Sequence, residues 1–357
     1  MPIRSQGNTG ARAFAAWVAL GSFIGAHLMA IVPAGVAIGV LFPQVLLPLK
    51  PFVPLFFAVM TFQNSLSNDL PAMRRALRRP LLPLAVLVMV HVAMPLLVFG
   101  VATLVFGAGS PTVAGVVLEY SVPIGASAIM WVGMFGGDLA LGLATLLAST
   151  VLSPFSIPLT LKLLVGTTVE IDALSMMGNM AYMVAIPALV ATVLNEASRG
   201  WCQRVAAPAT TPVSRLLLPV IVATNATGIS EPLHHLTPRL VGIMLLMLAF
   251  AVGSFCVGML VARRLSRRTG DAVDKGFSVD KADPVDKPFS VDKPTFVSLS
   301  FCCGIRNVTA GAVLATQYFG PEVLFPAIIA TPFQQVLAAA FGRIMERALA
   351  RGEKSEA

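Results

Sequence analysis

The stretch FCCGIRNVTAGAVLAT, residues 301–316, carries an arginine inside an apolar segment. Arg306 and Asn307 stand side by side just after Gly304, with small and aliphatic residues around them. A charged side chain at the centre of a bilayer costs about 2.5–3.5 kcal/mol on insertion scales, so such residues face a protein partner or a watery cavity. The stretch therefore predicts an interior site with Arg306 at its centre.

The composition is that of an integral membrane protein. Of the 357 residues, 56% are hydrophobic and 12% are charged, whereas soluble domains carry about 25% charged residues. Apolar runs long enough to cross a hydrocarbon core of about 30 Å recur along the chain. We predict an all-α protein with about ten transmembrane helices in the lipid bilayer. The predicted spans are residues 14–42, 52–68, 81–106, 112–135, 139–165, 173–195, 212–228, 236–262, 295–317 and 322–342.

The basic residues set the orientation, because Lys and Arg are enriched in cytoplasmic segments. With the N-terminus inside, 21 of the 25 basic residues fall in inner segments. Lys50, Lys162 and Arg239 fall outside, and Arg306 lies within the membrane. This bias predicts a multi-pass protein of the plasma (inner) membrane with both termini in the cytoplasm. The net charge of +8 is thus a topology signal, and we expect no nucleic-acid partner.

Three regions divide the chain. Residues 1–342 form the predicted transmembrane domain, with one repeat at about 14–165 and a second at about 173–342. Within the second repeat, residues 269–294 repeat Val-Asp-Lys every six residues, which predicts a disordered cytoplasmic linker. Both a partner-binding role and a repeat expansion without function are compatible with that linker. Residues 343–357 form a basic cytoplasmic tail.

Two spans contain helix breakers at corresponding positions. Pro123 and Gly125 interrupt the fourth span, and Gly304 interrupts the ninth, five spans later. Backbone groups freed inside a membrane are tolerated only where they are buried in protein or line a cavity. Paired irregular helices in two halves of a chain point to an inverted-repeat transporter with a midplane site. An ordinary kink is the alternative for each break taken alone.

Polar residues near the two breaks are the candidate substrate-binding residues. Glu119 either pairs with Arg306, which leaves a site for a neutral or zwitterionic solute, or leaves Arg306 free for an anion. His91 either moves protons or packs as a hydrogen-bonded histidine. The hydroxyls of the fifth span either satisfy carbonyls opened by prolines or line a path. The full set is Arg306, Asn307, Ser127, Thr309, Glu119, Ser149, Thr150, Gln334, Gln335 and His91.

These stretches resemble the bile acid:sodium symporter family. The matching segments are residues 123–130, 137–158, 304–326 and 333–335. The resemblance implies a panel domain and a core domain, with the broken fourth and ninth helices crossing at the midplane substrate site. It also implies uptake of organic anions, either bile acid-like or another carboxylate or sulfonate, driven by sodium.

The sodium ligands implied by the resemblance are largely replaced in this chain. The aligned positions are Ala128, Ile129, Gly142, Leu146, Cys302 and Arg306. We therefore predict no metal site with confidence, and we hypothesise that the Arg306 guanidinium supplies in fixed form the positive charge that sodium supplies elsewhere. Coupling would then be sodium-independent, through protons, exchange or facilitated movement.

The sequence favours a secondary transporter of a small organic anion that works by alternating access. The alternative is a non-transporting membrane sensor or scaffold of the same fold. No Rossmann or Walker glycine pattern and no H-E-x-x-H motif is apparent, so we expect no nucleotide, no cofactor and no enzymatic activity.

Overall fold

The computed structural model describes residues 6–68, 70–76, 78, 80–166, 172–230, 237–274 and 292–355. Helices form the regular secondary structure of this part of the chain. They are α1 (Gln6–Ala26), α2 (Leu28–Leu41), α3 (Pro43–Ser65), α4 (Leu70–Ala76), α5 (Leu81–Phe106), α6 (Pro111–Ser121), α7 (Ser127–Met134), α8 (Leu139–Val165), α9 (Ala173–Ala197), α10 (Cys202–Ile229), α11 (Pro238–Asp274), α12 (Lys293–Gly304), α13 (Val308–Tyr318) and α14 (Pro321–Ser355). The extended pairing among the described residues is one antiparallel bridge, between Ile124 and Arg306. The fold is therefore all-α.

Several of these helices can cross a membrane. Among the described residues, seven are long and apolar enough to do so alone, namely α3, α5, α8, α9, α10, α11 and α14. Large apolar side chains such as Leu81, Leu104 and Leu163 stay exposed on them. Extended apolar surface of this kind marks a face that meets lipid. The chain is a helical membrane protein.

The predicted first span, residues 14–42, is not one straight helix. α1 and α2 meet at an angle of 83°. Shortly before the bend, Arg215 of α10 donates from Nη1 to the Gly21 carbonyl at 2.8 Å and lies against Gly25. A side chain that enters the helical hydrogen-bond ladder is a known cause of a sharp kink. Pro33 of α2 lies just after the bend, and a proline ring clashes with the carbonyl four residues before it. We attribute the bend to Pro33 together with this contact from a helix far along the chain.

Two helices are enclosed along almost their whole length. Every residue from Thr112 to Ser121 in α6 and from Thr295 to Gly304 in α12 is buried. Each is followed by a few non-helical residues and then by a second short helix, α7 or α13. The two interruptions therefore lie in the protein interior and not against lipid.

Local chemistry explains where these helices stop. Val122, the residue before Pro123, is extended (φ −65°, ψ 155°), as expected because proline disfavours the helical conformation of its predecessor. After Gly304 the chain is extended at Ile305 (φ −109°, ψ 120°). Asn307 then caps α13, since its Oδ1 accepts from the Ala310 N–H at 3.2 Å.

The predicted linker is helical at its start. α11 runs to Asp274, so residues 269–274 continue the helix that begins at Pro238. Extension of an existing helix fixes one residue at a time and avoids the costly nucleus. Residues 275–291 of the predicted linker lie outside the described residues. The predicted tail continues α14 as far as Ser355.

Candidate functional site

The two helix interruptions meet in a short backbone bridge, formed by residues 123–125 and 305–307. The Gly125 N–H donates to the Ile305 carbonyl at 3.1 Å, and the Asn307 N–H donates to the Pro123 carbonyl at 2.8 Å. Ile124 and Arg306 are the paired residues at its centre. The groups that leave the two helices thus satisfy one another, which is required where no water can do so.

Gly125 is required by the closeness of the two segments. A Cβ atom at this position would lie 2.5 Å from the Arg306 carbonyl oxygen and 3.0 Å from its carbonyl carbon. Real Cβ atoms do not approach backbone so closely, and the neighbour here is main chain that cannot rotate away. Gly304 is enclosed in the same way by the ring of Phe255. The predicted helix-break glycines therefore serve close packing as well as chain flexibility.

Each bridge segment is also held by a polar side chain from the second helix after it. The Gln334 amide binds the Arg306 backbone at both ends, with Oε1 accepting from the N–H and Nε2 donating to the carbonyl, each at 2.8 Å. Ser149 Oγ accepts from the Ile124 N–H at 3.1 Å. Both residues were predicted to line the substrate site, and the structure gives each a backbone partner in the bridge.

His91 supports Ser149 from a third helix. Its Nε2 lies 2.8 Å from Ser149 Oγ, and its Nδ1 lies 2.9 Å from Ser156 Oγ. The ring is buried and sits on a π-helical turn, Met89–Ala93, within α5. Both ring nitrogens are engaged, which agrees with the packing role that the sequence left open for this histidine.

The Arg306 side chain is buried with its hydrogen-bonding capacity unused. It is 2% exposed, and Nε, Nη1 and Nη2 have no hydrogen-bond partner among the described residues. Its Cζ lies 5.9 Å from the centre of the Tyr120 ring, a distance at which a cation is attracted to an aromatic face. A desolvated guanidinium with five free N–H groups is the outstanding electrostatic feature of this interior.

Glu119 is close enough to Arg306 for the two charges to interact, but no hydrogen bond between them is present among the described residues. It is 1% exposed, and its Oε2 also lacks a hydrogen-bond partner among the described residues. The carboxylate instead lies against α13, where Oε2 is 2.6 Å from the position that a Cβ on Gly311 would take. Of the two arrangements that the sequence left open, the observed one leaves the Arg306 donors free.

The other predicted residues form hydrogen bonds elsewhere in the interior or lie beside the bridge. Gln335 links to the start of α7, with Nε2 donating to Ser127 Oγ at 3.2 Å and Oε1 accepting from Trp131 at 3.1 Å. Thr150 donates to the Leu146 carbonyl of its own helix at 2.8 Å, which is the carbonyl-satisfying role. Thr309 is half-buried on the first turn of α13.

The residues at the positions expected to bind sodium do not offer a set of oxygen ligands. The side chains of Ala128, Ile129, Gly142, Leu146, Cys302 and Arg306 contain no oxygen. Gly142 lies against Ile129, whose Cδ1 is 3.1 Å from the place of a Cβ on that glycine. Hard cations require several oxygen ligands. These side chains do not fit a sodium ion.

Two residues near the interior were not singled out from the sequence. Tyr120 follows Glu119 and brings its ring to the Arg306 guanidinium. Asn225 on α10 is 1% exposed, and both polar atoms of its amide lack a partner within the part of the chain that the structure describes. The signal for Asn225 was present, because Thr224-Asn225 is a polar pair within a predicted span.

Comparison with known proteins gives a consistent set of relatives. A family model described as the Sodium Bile acid symporter family matches residues 54–234. The protein called "Uncharacterized protein YbaS" from Bacillus subtilis (strain 168) is 32% identical over 315 residues, which covers 88% of this chain and 95% of that protein. The "Uncharacterized sodium-dependent transporter YocS" from the same organism is 23% identical and covers 82% of each chain.

A plant relative is more distant and longer. The "Probable sodium/metabolite cotransporter BASS3, chloroplastic" from Oryza sativa subsp. japonica is 25% identical over 244 residues. The match covers 66% of this chain and 49% of the plant protein. Each of these relatives aligns across a large part of the helical region described above.

Proposed function

The chain belongs to the sodium bile acid symporter family, and we propose that it is a secondary transporter that moves a small organic anion across the membrane by alternating access. The substrate would be bile acid-like or another carboxylate or sulfonate. Family membership already makes the protein a membrane transporter and not an enzyme. The observation that carries the choice of an anion is the buried Arg306 guanidinium, whose three nitrogens have no partner among the described residues.

We further propose the architecture of two inverted five-helix repeats. In this arrangement α6–α7 is the broken fourth span and α12–α13 is the broken ninth span, and the two cross at the midplane. The backbone at each of the two breaks is bound by a polar side chain at a similar distance along the chain, and this similarity favours the two-repeat interpretation. A side chain 25 residues after Ile124 binds its backbone, and a side chain 28 residues after Arg306 does the same. Both termini would lie in the cytoplasm, and the membrane would be the plasma (inner) membrane.

The free guanidinium supports an anionic substrate for an energetic reason. A buried charge without a partner is costly, and the cost is relieved when an opposite charge with matching donors and acceptors arrives. A carboxylate or sulfonate can accept two parallel N–H bonds from a guanidinium. Asn307 and Thr309 follow Arg306 on the same segment and would add polar contacts beside the bound group.

We propose that this transport does not depend on sodium, although two relatives carry sodium in their names. The aligned side chains lack oxygen, and a fixed guanidinium repels a cation that approaches it. Arg306 would take the electrostatic place of the ion. Coupling to protons, exchange for a second anion and facilitated movement all agree with this role.

The first experiment measures uptake of a panel of organic anions into proteoliposomes. We expect equal initial rates when external sodium is replaced by choline at constant ionic strength. A strict requirement for sodium would overturn the proposed coupling and leave the anion substrate intact. The Arg343→Gln variant is the matched control for the arginine substitutions of the second experiment, because Arg343 is exposed on α14 outside the site.

The second experiment tests the guanidinium. Charge-assisted hydrogen bonds contribute about 1.5–3 kcal/mol each, so loss of a bidentate pair in Arg306→Gln should lower uptake by at least about 100-fold. Arg306→Lys keeps the charge but loses the planar fork, so it should keep part of the rate with weaker binding. Unchanged uptake in Arg306→Gln would show that the arginine does not bind substrate.

A membrane sensor or scaffold of the same fold is the second candidate function. The replacement of the family's sodium ligands favours it, since a protein that does not transport has no need of them. Binding of an anion to purified protein without any uptake into proteoliposomes would select this alternative. Uptake above that of protein-free liposomes would exclude it.

A further inference from the structure

A cavity lies between the start of α3 and the end of α13. It has a volume of about 410 Å³, and its polar lining residues are Lys50, Thr316 and Gln317, with Val53 and Val313 beside them. In the proposed topology both helix ends lie on the outer side of the membrane. We name this space the outer cavity. It is separate from the backbone bridge, which lies at the other end of α13.

Lys50 differs from the other basic residues assigned to the outer side. Arg239 is engaged, because its Nη2 donates to Ser110 Oγ at 2.9 Å and to Thr112 Oγ1 at 3.4 Å. Lys162 lies in the last turn of α8 and does not line the outer cavity. Lys50 is half-buried on a tight helical turn, Leu47–Phe52, where the cavity opens. A positive charge is therefore presented to this space.

One face of α13 connects the outer cavity with the backbone bridge. Thr309, Val313 and Thr316 follow at helical spacing, and the two threonines are half-buried. At about 1.5 Å per residue, Thr316 lies about 10 Å from Thr309 along the helix. Asn307 and Arg306 follow at the inner end. The outer cavity and the free guanidinium therefore lie at the two ends of one short helix.

Asn225 lies close to the level of the same cavity. Gln63 of α3 donates to the Ala207 carbonyl at 3.3 Å and to Thr211 Oγ1 at 2.9 Å on α10. These bonds set the register of two antiparallel helices, and the same register brings Asn225 near the level of residues 47–50. α10 also contacts α13. The unpartnered Asn225 amide is an independent sign of unused polar capacity in this region.

We propose that the outer cavity is a first binding site for the substrate anion, in which Lys50 attracts the carboxylate or sulfonate before the anion moves to Arg306. This proposal rests on the proposed function and adds the place of entry. The exposed Gln317 amide offers neutral hydrogen bonds to the same group, and the exposed Leu47 and Pro51 contact the apolar part of the solute. The site takes organic anions and disfavours cations.

The charge of the outer cavity can be measured without transport. Thr316→Cys is made in a background with Cys202→Ala and Cys256→Ala, since Cys302 and Cys303 are buried. The thiol is reacted from outside with two impermeant methanethiosulfonates, one sulfonated and one with a quaternary ammonium group. A charge a few ångströms away in a watery cavity changes each rate by about 5-fold. We compare the rate with the sulfonated reagent to the rate with the ammonium reagent. We expect this ratio to be higher for the introduced thiol than for a free thiol in solution.

Lys50→Gln in the same background should remove this preference, and Lys162→Gln should leave it unchanged. In uptake measurements Lys50→Gln should raise the KM at the outer side by about 5-fold with kcat kept. A preference that survives Lys50→Gln, or a KM that does not change, would overturn the proposal and make Lys50 a contact for lipid head groups. If the preference depends on Lys50 but no organic anion is carried by the unmodified protein, the proposed function fails and the anion site stands.

Discussion

The Gly125→Ala substitution tests whether the backbone bridge holds the interior together. The added Cβ would lie 2.5 Å from the Arg306 carbonyl oxygen, whereas ordinary contact begins at 3.4 Å. The two segments must therefore move apart by about 0.9 Å, the difference of these distances. Gly125 has no positive φ, so the effect comes from this contact and not from backbone strain.

The size of the effect follows from the two hydrogen bonds of the bridge. A displacement of this size in the bonding direction stretches the N–O distances of 3.1 and 2.8 Å to about 4.0 and 3.7 Å, beyond hydrogen-bonding reach. The two buried N–H donors left unsatisfied cost about 1–3 kcal/mol each, so the substitution should cost at least about 2–6 kcal/mol. That is a large part of the total stability of a folded domain, which is typically about 5–15 kcal/mol.

Thermal unfolding of the detergent-purified protein, followed by tryptophan fluorescence, is a suitable measurement because Trp131 lies on α7 just after the bridge. We expect the midpoint to fall by at least about 4 °C. Gly253→Ala is the matched control, since a Cβ there meets no atom within 4 Å. It should be neutral or stabilising by up to about 1 kcal/mol. Equal midpoints for the two variants would refute the role assigned to the bridge.

Two further predictions concern the side chains that hold the bridge. Gln334→Leu removes both hydrogen bonds to the Arg306 backbone, so it should destabilise the protein by about 2–6 kcal/mol in the same unfolding assay; a midpoint like that of the unmodified protein would contradict this. Ser149→Ala leaves both the Ile124 N–H and His91 Nε2 without their partner and should cost about 2–6 kcal/mol. Ser153→Ala, which loses only a bond to Thr150 in its own helix, should cost less, and the reverse order would argue against the proposed role of Ser149.

The ends of α6 and α12 could be located from the sequence because their causes are local. Proline and glycine act on the residues beside them, so Pro123, Gly125 and Gly304 indicate where helical structure stops. The bend between α1 and α2 has a local signal in Pro33 of α2. The contact of Arg215 with Gly21 beside the bend could not be located in this way, because Arg215 belongs to a helix far along the chain.

The roles of the polar residues were harder to predict for a similar reason. Gln334 and Ser149 are polar groups at depth, and such residues are usually assigned to a ligand or a path. Their observed partners are backbone groups exposed by the bridge, and those groups become available only when two distant segments meet. Likewise, opposite charge alone predicts that Glu119 pairs with Arg306. In the folded protein, packing places the Glu119 carboxylate against Gly311.

Arg306 contributes to two properties that mutation can separate. Its backbone is held by Gln334 and by the bridge, and neither depends on the side chain. Its guanidinium is buried without a hydrogen-bond partner among the described residues, so removal of that charge should relieve a desolvation cost. A buried charge without a hydrogen-bonded partner is itself destabilising. We therefore expect Arg306→Gln to unfold at the same or a higher temperature than the unmodified protein while it loses uptake. A lower midpoint would instead assign the guanidinium a structural role, and the loss of uptake would then reflect a damaged fold.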